Sequence, residues 1–234
     1  MDHRVGGARA GGVEAVPLDR LVRGSAGELH ARPIVAAAVV EQLEITRPAV
    51  VIGSTQSFDV VNAPVARELG FDVVRRRSGG GVVVLRPRDH VWIDVTVPRG
   101  HREWCDDVER ASWWLGDAWC KVLRDVVGGG PVDGGWRVWR DKLVATAPER
   151  RVCFASVGPG EVVQANRKVV GISQRRTKDA ARFQCTVFGT IDVSLYESLL
   201  RDVVPKRLND AAGVGDALDA VASAALAHFA ELLG

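Results

Sequence analysis

The sequence predicts an α+β domain in which a mixed, largely antiparallel sheet carries helices packed against it. Three observations predict it. Short β-branched runs recur with short connections between them, helical spacing of apolar residues is confined to a few stretches, and strand–helix alternation is absent after residue 135. That last feature excludes a doubly wound parallel sheet.

Taken in order, "PAVVIGS" (48–54) reads as a short buried strand. "NAPVARELG" follows as a helix, with Asn62 placed to cap it, Pro64 in its first turn and Gly70 to end it. "FDVVRR" and "VVVL" are strands on either side of a glycine run, and "HVWIDVTVP" (90–98) alternates through Val91, Ile93, Val95 and Val97. From Glu103 to Val127 the spacing of Trp104, Val108, Ala111, Leu115, Trp119, Val122 and Val126 is helical, and "GGGP" terminates it. Strands return as "WRVWR", "RRVCFASV", "GEVVQ", "KVVGIS" and "ARFQCTVFG", with Gln164-Ala165-Asn166-Arg167 as a tight hairpin turn. A last helix buries Leu218, Val221, Ala222, Ala225, Leu226, Phe229, Leu232 and Leu233 against a sheet.

The chain has 234 residues, 47% apolar and 26% charged, the proportions of an ordinary globular protein with a sizeable core. A net charge of +2 gives no general argument for a nucleic-acid or membrane partner, and neither is expected. Cys105, Cys120, Cys153 and Cys185 form no CxxC pair and no zinc-ligand spacing, so a reduced cytoplasmic setting is expected and no metal site. The N-terminal residues lack the apolar stretch of a signal peptide, no run is long enough to span a membrane, and residues 1–12 read as a Gly/Ala/Arg tail.

Two constellations carry chemistry. In "RRRSGGGVVVL" (75–85) three glycines follow three cations and a serine, then run into a strand. No Gly-Lys-Ser/Thr follows, as a P-loop needs, and no helix opens, as a Rossmann fingerprint needs. What fits is a strand–glycine–strand crossing whose bare N–H groups point at an anionic or carbonyl oxygen. The plain alternative is a glycine-rich hairpin with solvated arginines. In "VCFASVGPGEVVQANRKVVGISQRRT" (152–177) Lys168 opens an apolar strand, and Gly171 and Ser173 suggest close backbone approach on one face. Cys153 is inert packing by default, but a nucleophile if Lys168 or an arginine stands beside it.

These segments bring a resemblance with them. "VVRRRSGGGVVV" resembles the RRxSGGG segment of the lipoate–protein ligase A family, and "NRKVVGISQRR" resembles its GKKxxGxAQRR segment, which carries the active-site lysine. "VVIGSTQSFDVVN" is similar to the family's first strand and turn, and the three occur in the family's order over roughly 48–190. The resemblance implies the catalytic-domain fold shared by biotin ligases, lipoate ligases and octanoyltransferases, as a single domain over 13–234 without a C-terminal accessory domain. It implies attachment of an octanoyl or lipoyl group to a lysine of a lipoyl domain, as carried by 2-oxoacid dehydrogenases or the glycine cleavage protein.

By the same resemblance Lys168 holds the reacting carboxyl oxygen or the phosphate beside it. The acyl group lies against Gly79, Gly80 and Gly81, Arg75, Arg76 and Ser78 flank it, and Gly171 and Ser173 complete the pocket. Cysteine-dependent octanoyltransferases of this superfamily have a Cys-Phe pair, a glutamate and then the motif lysine, which Cys153-Phe154, Glu161 and Lys168 match in spacing. The leading expectation is therefore acyl transfer through a Cys153 thioester, needing no cofactor and accepting a donor such as acyl carrier protein. The alternative is an ATP- and Mg²⁺-dependent ligase passing through an acyl-adenylate. A third reading, an inactive relative that binds an acyl ligand or a lipoyl domain, follows from one departure. The family's His-Asp after the glycines is replaced here by Leu85-Arg86.

Overall fold

The structure is a computed structural model that describes residues 19–129 and 135–234. The expected tail at 1–12 and the start of the expected domain at 13 lie outside the described residues.

Ten strands and five α-helices alternate irregularly among the described residues. A seven-stranded sheet has the order β1 (Asp19–Gly24), β2 (Val39–Ile45), β6 (His90–Pro98), β10 (Ala180–Phe188), β9 (Arg167–Arg176), β8 (Val162–Gln164), β7 (Trp136–Val138). Only its β1–β2 pair is parallel. A smaller sheet places β3 (Ala49–Ile52) between β4 (Asp72–Arg75) and β5 (Val83–Leu85). The expected α+β architecture with a largely antiparallel sheet is what forms.

Each sequence pattern has its packing reason. In β6 the odd positions Val91, Ile93, Val95 and Val97 face a core shared with α3 (Trp113–Val127) and α5 (Leu218–Leu233), where Trp119 meets Phe229 edge-on at 5.1 Å. Trp92, on the opposite face, joins a second core with β3, β5, α1 (Ala26–Ala31) and α4 (Val193–Leu199). The large sheet is thus covered by helices on one side and by the small sheet on the other. Positive φ at Ala165 and Asn166 makes the tight turn between β8 and β9, as the sequence predicts. Gly128, at φ 88, closes α3 and donates its N–H to the Arg124 carbonyl.

Three expectations need correction, and the alternative reading of the glycine run falls. α3 starts at Trp113, not Glu103, because the Asp107 carboxylate accepts from the N–H groups of Glu109 and Arg110 and forms a local turn instead. Val108 is accordingly 60% exposed. "RRVCFASV" is no strand: a 3₁₀ turn at Glu149–Arg151 leads into a left-handed Phe154, which leaves only the isolated bridges Val82↔Val152 and Val144↔Val157. Asn62 stands at the cap position of α2 (Ala63–Glu68), but its side chain makes no capping bond. The glycine run is no hairpin, since β4 and β5 do not pair with each other and lie on opposite sides of β3. β1, β2, α1 and α4 are further elements, and α1 opens on a capping box formed by Ser25 and Glu28.

Candidate active site

Because β4 and β5 flank β3, residues 76–82 must cross the end of β3, and two anchors fix that crossing. Arg76 N–H donates to the Ile52 carbonyl at 3.0 Å, and Ser54 N–H donates to the Ser78 carbonyl at 3.0 Å. The approach is so close that a Cβ on Gly53 would lie 1.9 Å from the Gly80 carbonyl oxygen. On the other side, a Cβ on Gly81 would lie 2.6 Å from the Arg151–Val152 peptide. Val82 N–H donates to the Arg151 carbonyl at 2.7 Å and Cys153 N–H to the Val82 carbonyl at 2.8 Å. What approaches Gly81 is therefore the backbone that carries Cys153. The glycine loop and the cysteine turn are one unit.

Arg76 and Arg75 part ways here. The buried Arg76 guanidinium donates to the Gly79 carbonyl at 2.9 and 3.1 Å and to the Gly81 carbonyl at 2.9 Å. With those carbonyls drawn to a cation, the N–H groups of Gly79, Gly80 and Gly81 find no acceptor among the described residues. Arg75, expected to flank the site, points away. It is exposed, donates to the Gln56 carbonyl at 2.8 Å, lies over the Phe58 ring at 4.4 Å, and lines no part of the cavity. Strand alternation separates the two, because β4 ends at Arg75 and neighbouring residues face opposite ways.

The cavity enclosed by these elements has a volume of about 320 Å³, at the small end for ligand sites. Gly79, Gly80 and Gly81 form one wall, Lys168, Gly171 and Ser173 of β9 another, and Cys153 and Phe154 a third. The Lys168 ammonium, 3% exposed, lies 2.5 Å from Glu161 Oε1 and 3.8 Å from Cys153 Sγ. Glu161 is held in turn by the N–H groups of Gly158 at 2.7 Å and Ile172 at 3.2 Å. Burial disfavours charge on Lys168, but the Cys153 sulfur and the Glu161 carboxylate outweigh it and raise the lysine above its ordinary value. The site holds an ammonium beside a sulfur.

Ser78 and Ser173, the remaining expected residues, meet each other. Their hydroxyls are 3.1 Å apart, and Ser78 donates to Gln184 Oε1 at 3.5 Å. Gln184 continues to Asp94, whose carboxyl is pushed up to about 6 by burial despite Arg182 at 3.6 Å. Glu161, Phe154 and Gln184 line the cavity and were not singled out as site residues. The signal for Phe154 and Glu161 was their place in the Cys-Phe, glutamate, lysine spacing, while Gln184 showed only as an amide inside a β-branched strand.

Residues 39–225 match the family described as the lipoyl protein ligase A/B catalytic domain. The chain belongs to this family. Solved structures share its fold. One is described as a putative lipoate protein ligase, Ta0514, from T. acidophilum with bound lipoic acid; it has a TM-score of 0.68 and 16% identity, over 92% of this chain and 84% of that one. Lipoate-protein ligase A bound with ATP has a TM-score of 0.64 and 18% identity, over 84% and 72%. A bi-partite lipoate protein ligase studied with its E2 lipoyl domain, from Thermoplasma acidophilum, has 0.62 and 16%, over 92% and 83%. No curated protein matched the sequence. Where the lipoate–protein ligase A family has His-Asp, this family member buries Leu85 in β5 and pairs Arg86 with Asp89 and Asp192, and neither residue lines the cavity. Among the described residues no helix is long and apolar enough to cross a membrane.

Proposed function

We propose that this lipoylation-family domain transfers an octanoyl or lipoyl group to a lysine of a lipoyl domain through a thioester on Cys153. The observation that carries the proposal is the Cys153 sulfur 3.8 Å from a buried Lys168 ammonium, on the wall of a small cavity. Thiolate is the attacking form of a cysteine nucleophile. Cys153 attacks the acyl carbon of a thioester donor such as acyl carrier protein. Its C–S bond forms, the donor's C–S bond breaks, and the donor thiol takes up the proton that Cys153 gives up. The carrier lysine amine then forms the C–N bond, the bond to Cys153 breaks, and the amine's proton returns to the sulfur. Charge on the tetrahedral oxygen is met by Lys168 and by the unpartnered N–H groups of Gly79–Gly81.

The alternative is an ATP-dependent ligase using an acyl-adenylate, and the ATP-bound relative motivates it. Against it, the only carboxylate on the cavity wall among the described residues is Glu161, already taken by Lys168 and two backbone N–H groups. That leaves no free carboxylate there to hold Mg²⁺ beside a nucleotide. The lipoyl domain as acceptor is supported by the relative studied with its E2 lipoyl domain. A reducing cytoplasm belongs to the same reading, since the nucleophile must stay a free thiol. The test is transfer to a lipoyl domain from octanoyl-carrier protein and from free lipoate, each with and without ATP, for wild type and Cys153→Ala. Transfer from the thioester without ATP, lost in Cys153→Ala, is expected. An ATP-dependent reaction that survives loss of the thiol would overturn it.

A further inference from the structure

The turn that carries Cys153 has an unusual residue in it. Ala155 N–H donates to the Val152 carbonyl at 3.3 Å, so Cys153 and Phe154 are the two central residues of a four-residue turn. Phe154 has φ 73, the third-position geometry that type II turns reserve for glycine. A bulky residue there is strained, and such strain persists only where the surroundings hold it. The surroundings are specific. The ring is 2% exposed, packs edge-on against Phe188 at 5.0 Å, and has its centroid 5.0 Å from Lys168 Nζ. Facing it, Gly171 has no room for more, because a Cβ there would come within 3.3 Å of the ring and 3.2 Å of Lys168 Cε.

We propose that Phe154 is a positioning residue: its left-handed backbone sets the turn that presents the Cys153 sulfur to the cavity, and its ring fixes the Lys168 ammonium against that sulfur. Glycine would make the turn without strain but would leave the lysine stem unsupported. The inference rests on the thioester reading above in taking Cys153 as the nucleophile. The cation–ring contact strengthens where water is excluded, as it is at Lys168.

The experiment compares Phe154→Leu, Phe154→Gly and Phe154→Tyr with wild type in the full chain. Two rates are read: acylation of Cys153 by octanoyl-carrier protein in a single turnover, and alkylation of Cys153 by iodoacetamide, mapped by mass. Leu and Gly are expected to slow both rates roughly tenfold, while Tyr, which keeps the ring, stays near wild type. KM for the lipoyl domain should not move with kcat. A folded Phe154→Leu protein with wild-type rates, or a Tyr variant as slow as Leu, overturns the inference. If Phe154→Gly does not fold, the Leu–Tyr comparison still decides. Should wild type alkylate in a ring-dependent way yet never take an acyl group, the thioester reading falls and the positioning role stands.

Discussion

Replacing Gly81 by alanine tests whether the glycine loop and the cysteine turn are one unit. The new Cβ would meet the Arg151 carbonyl carbon and Val152 nitrogen at 2.6 Å and the Arg151 carbonyl oxygen at 2.7 Å. All three are backbone atoms, so no side chain can swing away, and the two segments must separate. Separation lengthens the bonds Val82 N–H to Arg151 and Cys153 N–H to Val82, 2.7 and 2.8 Å. Two such bonds contribute about 1–3 kcal/mol together, and overpacking a tight site adds a similar amount, so the loss is on the order of 2–6 kcal/mol. For a chain of this size that lowers Tm by roughly 5–20 °C. Displacement of Cys153 from Lys168 by about an ångström should slow acylation on the order of 10²-fold. Gly79→Ala is the stability control, because a Cβ there meets nothing within 4 Å and should change stability by less than about 0.5 kcal/mol. Thermal unfolding and single-turnover acylation by intact mass read both effects. A Gly81→Ala protein with wild-type Tm and acylation rate would refute the coupling.

Lys168→Met should lower acyl transfer on the order of 10²–10³-fold and, by leaving the buried Glu161 without its cation, cost about 3–5 kcal/mol of stability. Steady-state rates and urea unfolding measure the two, and wild-type rates in the folded variant would remove Lys168 from the mechanism. His30 is buried and held neutral, its pKa lowered to about 3 by burial and by Arg76 and Arg182. The unfolded chain therefore binds a proton below about pH 6.5 that the folded chain refuses, so this group's contribution falls as pH drops from about 6.5 toward 3. Asp94, raised to about 6, opposes it between about pH 4 and 6. His30→Gln should lose less stability than wild type between pH 6.5 and 4 in urea titrations, and identical pH slopes would contradict the assignment. Gly128→Ala forces a side chain into φ 88 at the end of α3 and should cost about 1–2 kcal/mol in thermal unfolding while leaving acyl transfer unchanged. Lost transfer at unchanged Tm would show the second glycine run to be functional.

The architecture was legible where burial and period agree. β6, β9, β10 and α5 announce themselves because each buries a regular face, as Val91 to Val97 and the stripe from Leu218 to Leu233 do. α3 was overextended because Trp104 and Val108 happen to fall on its period, while the Asp107 carboxylate claims the local N–H groups and starts a turn. The site's parts were legible as motifs: Arg76, Gly79–Gly81, Cys153, Lys168, Gly171 and Ser173 all line one cavity, and Ser78 stands behind its wall against Ser173. What could not be read was orientation. Nothing in "RRR" distinguishes Arg76, turned inward onto two carbonyls, from Arg75, turned outward onto Phe58. The reason for the glycines was equally hidden, because Gly81 answers to a peptide bond seventy residues away in the chain, at Arg151–Val152.

The central claim is that an acyl group passes through the Cys153 sulfur, which stands beside Lys168. It is tested most directly by mixing the protein with octanoyl-carrier protein in the absence of ATP, quenching in acid, and locating any adduct by peptide mass. The account predicts one octanoyl group on Cys153, none on Cys105, and discharge of that group when a lipoyl domain is added. An unmodified Cys153, in a protein that nonetheless octanoylates the lipoyl domain, would contradict it.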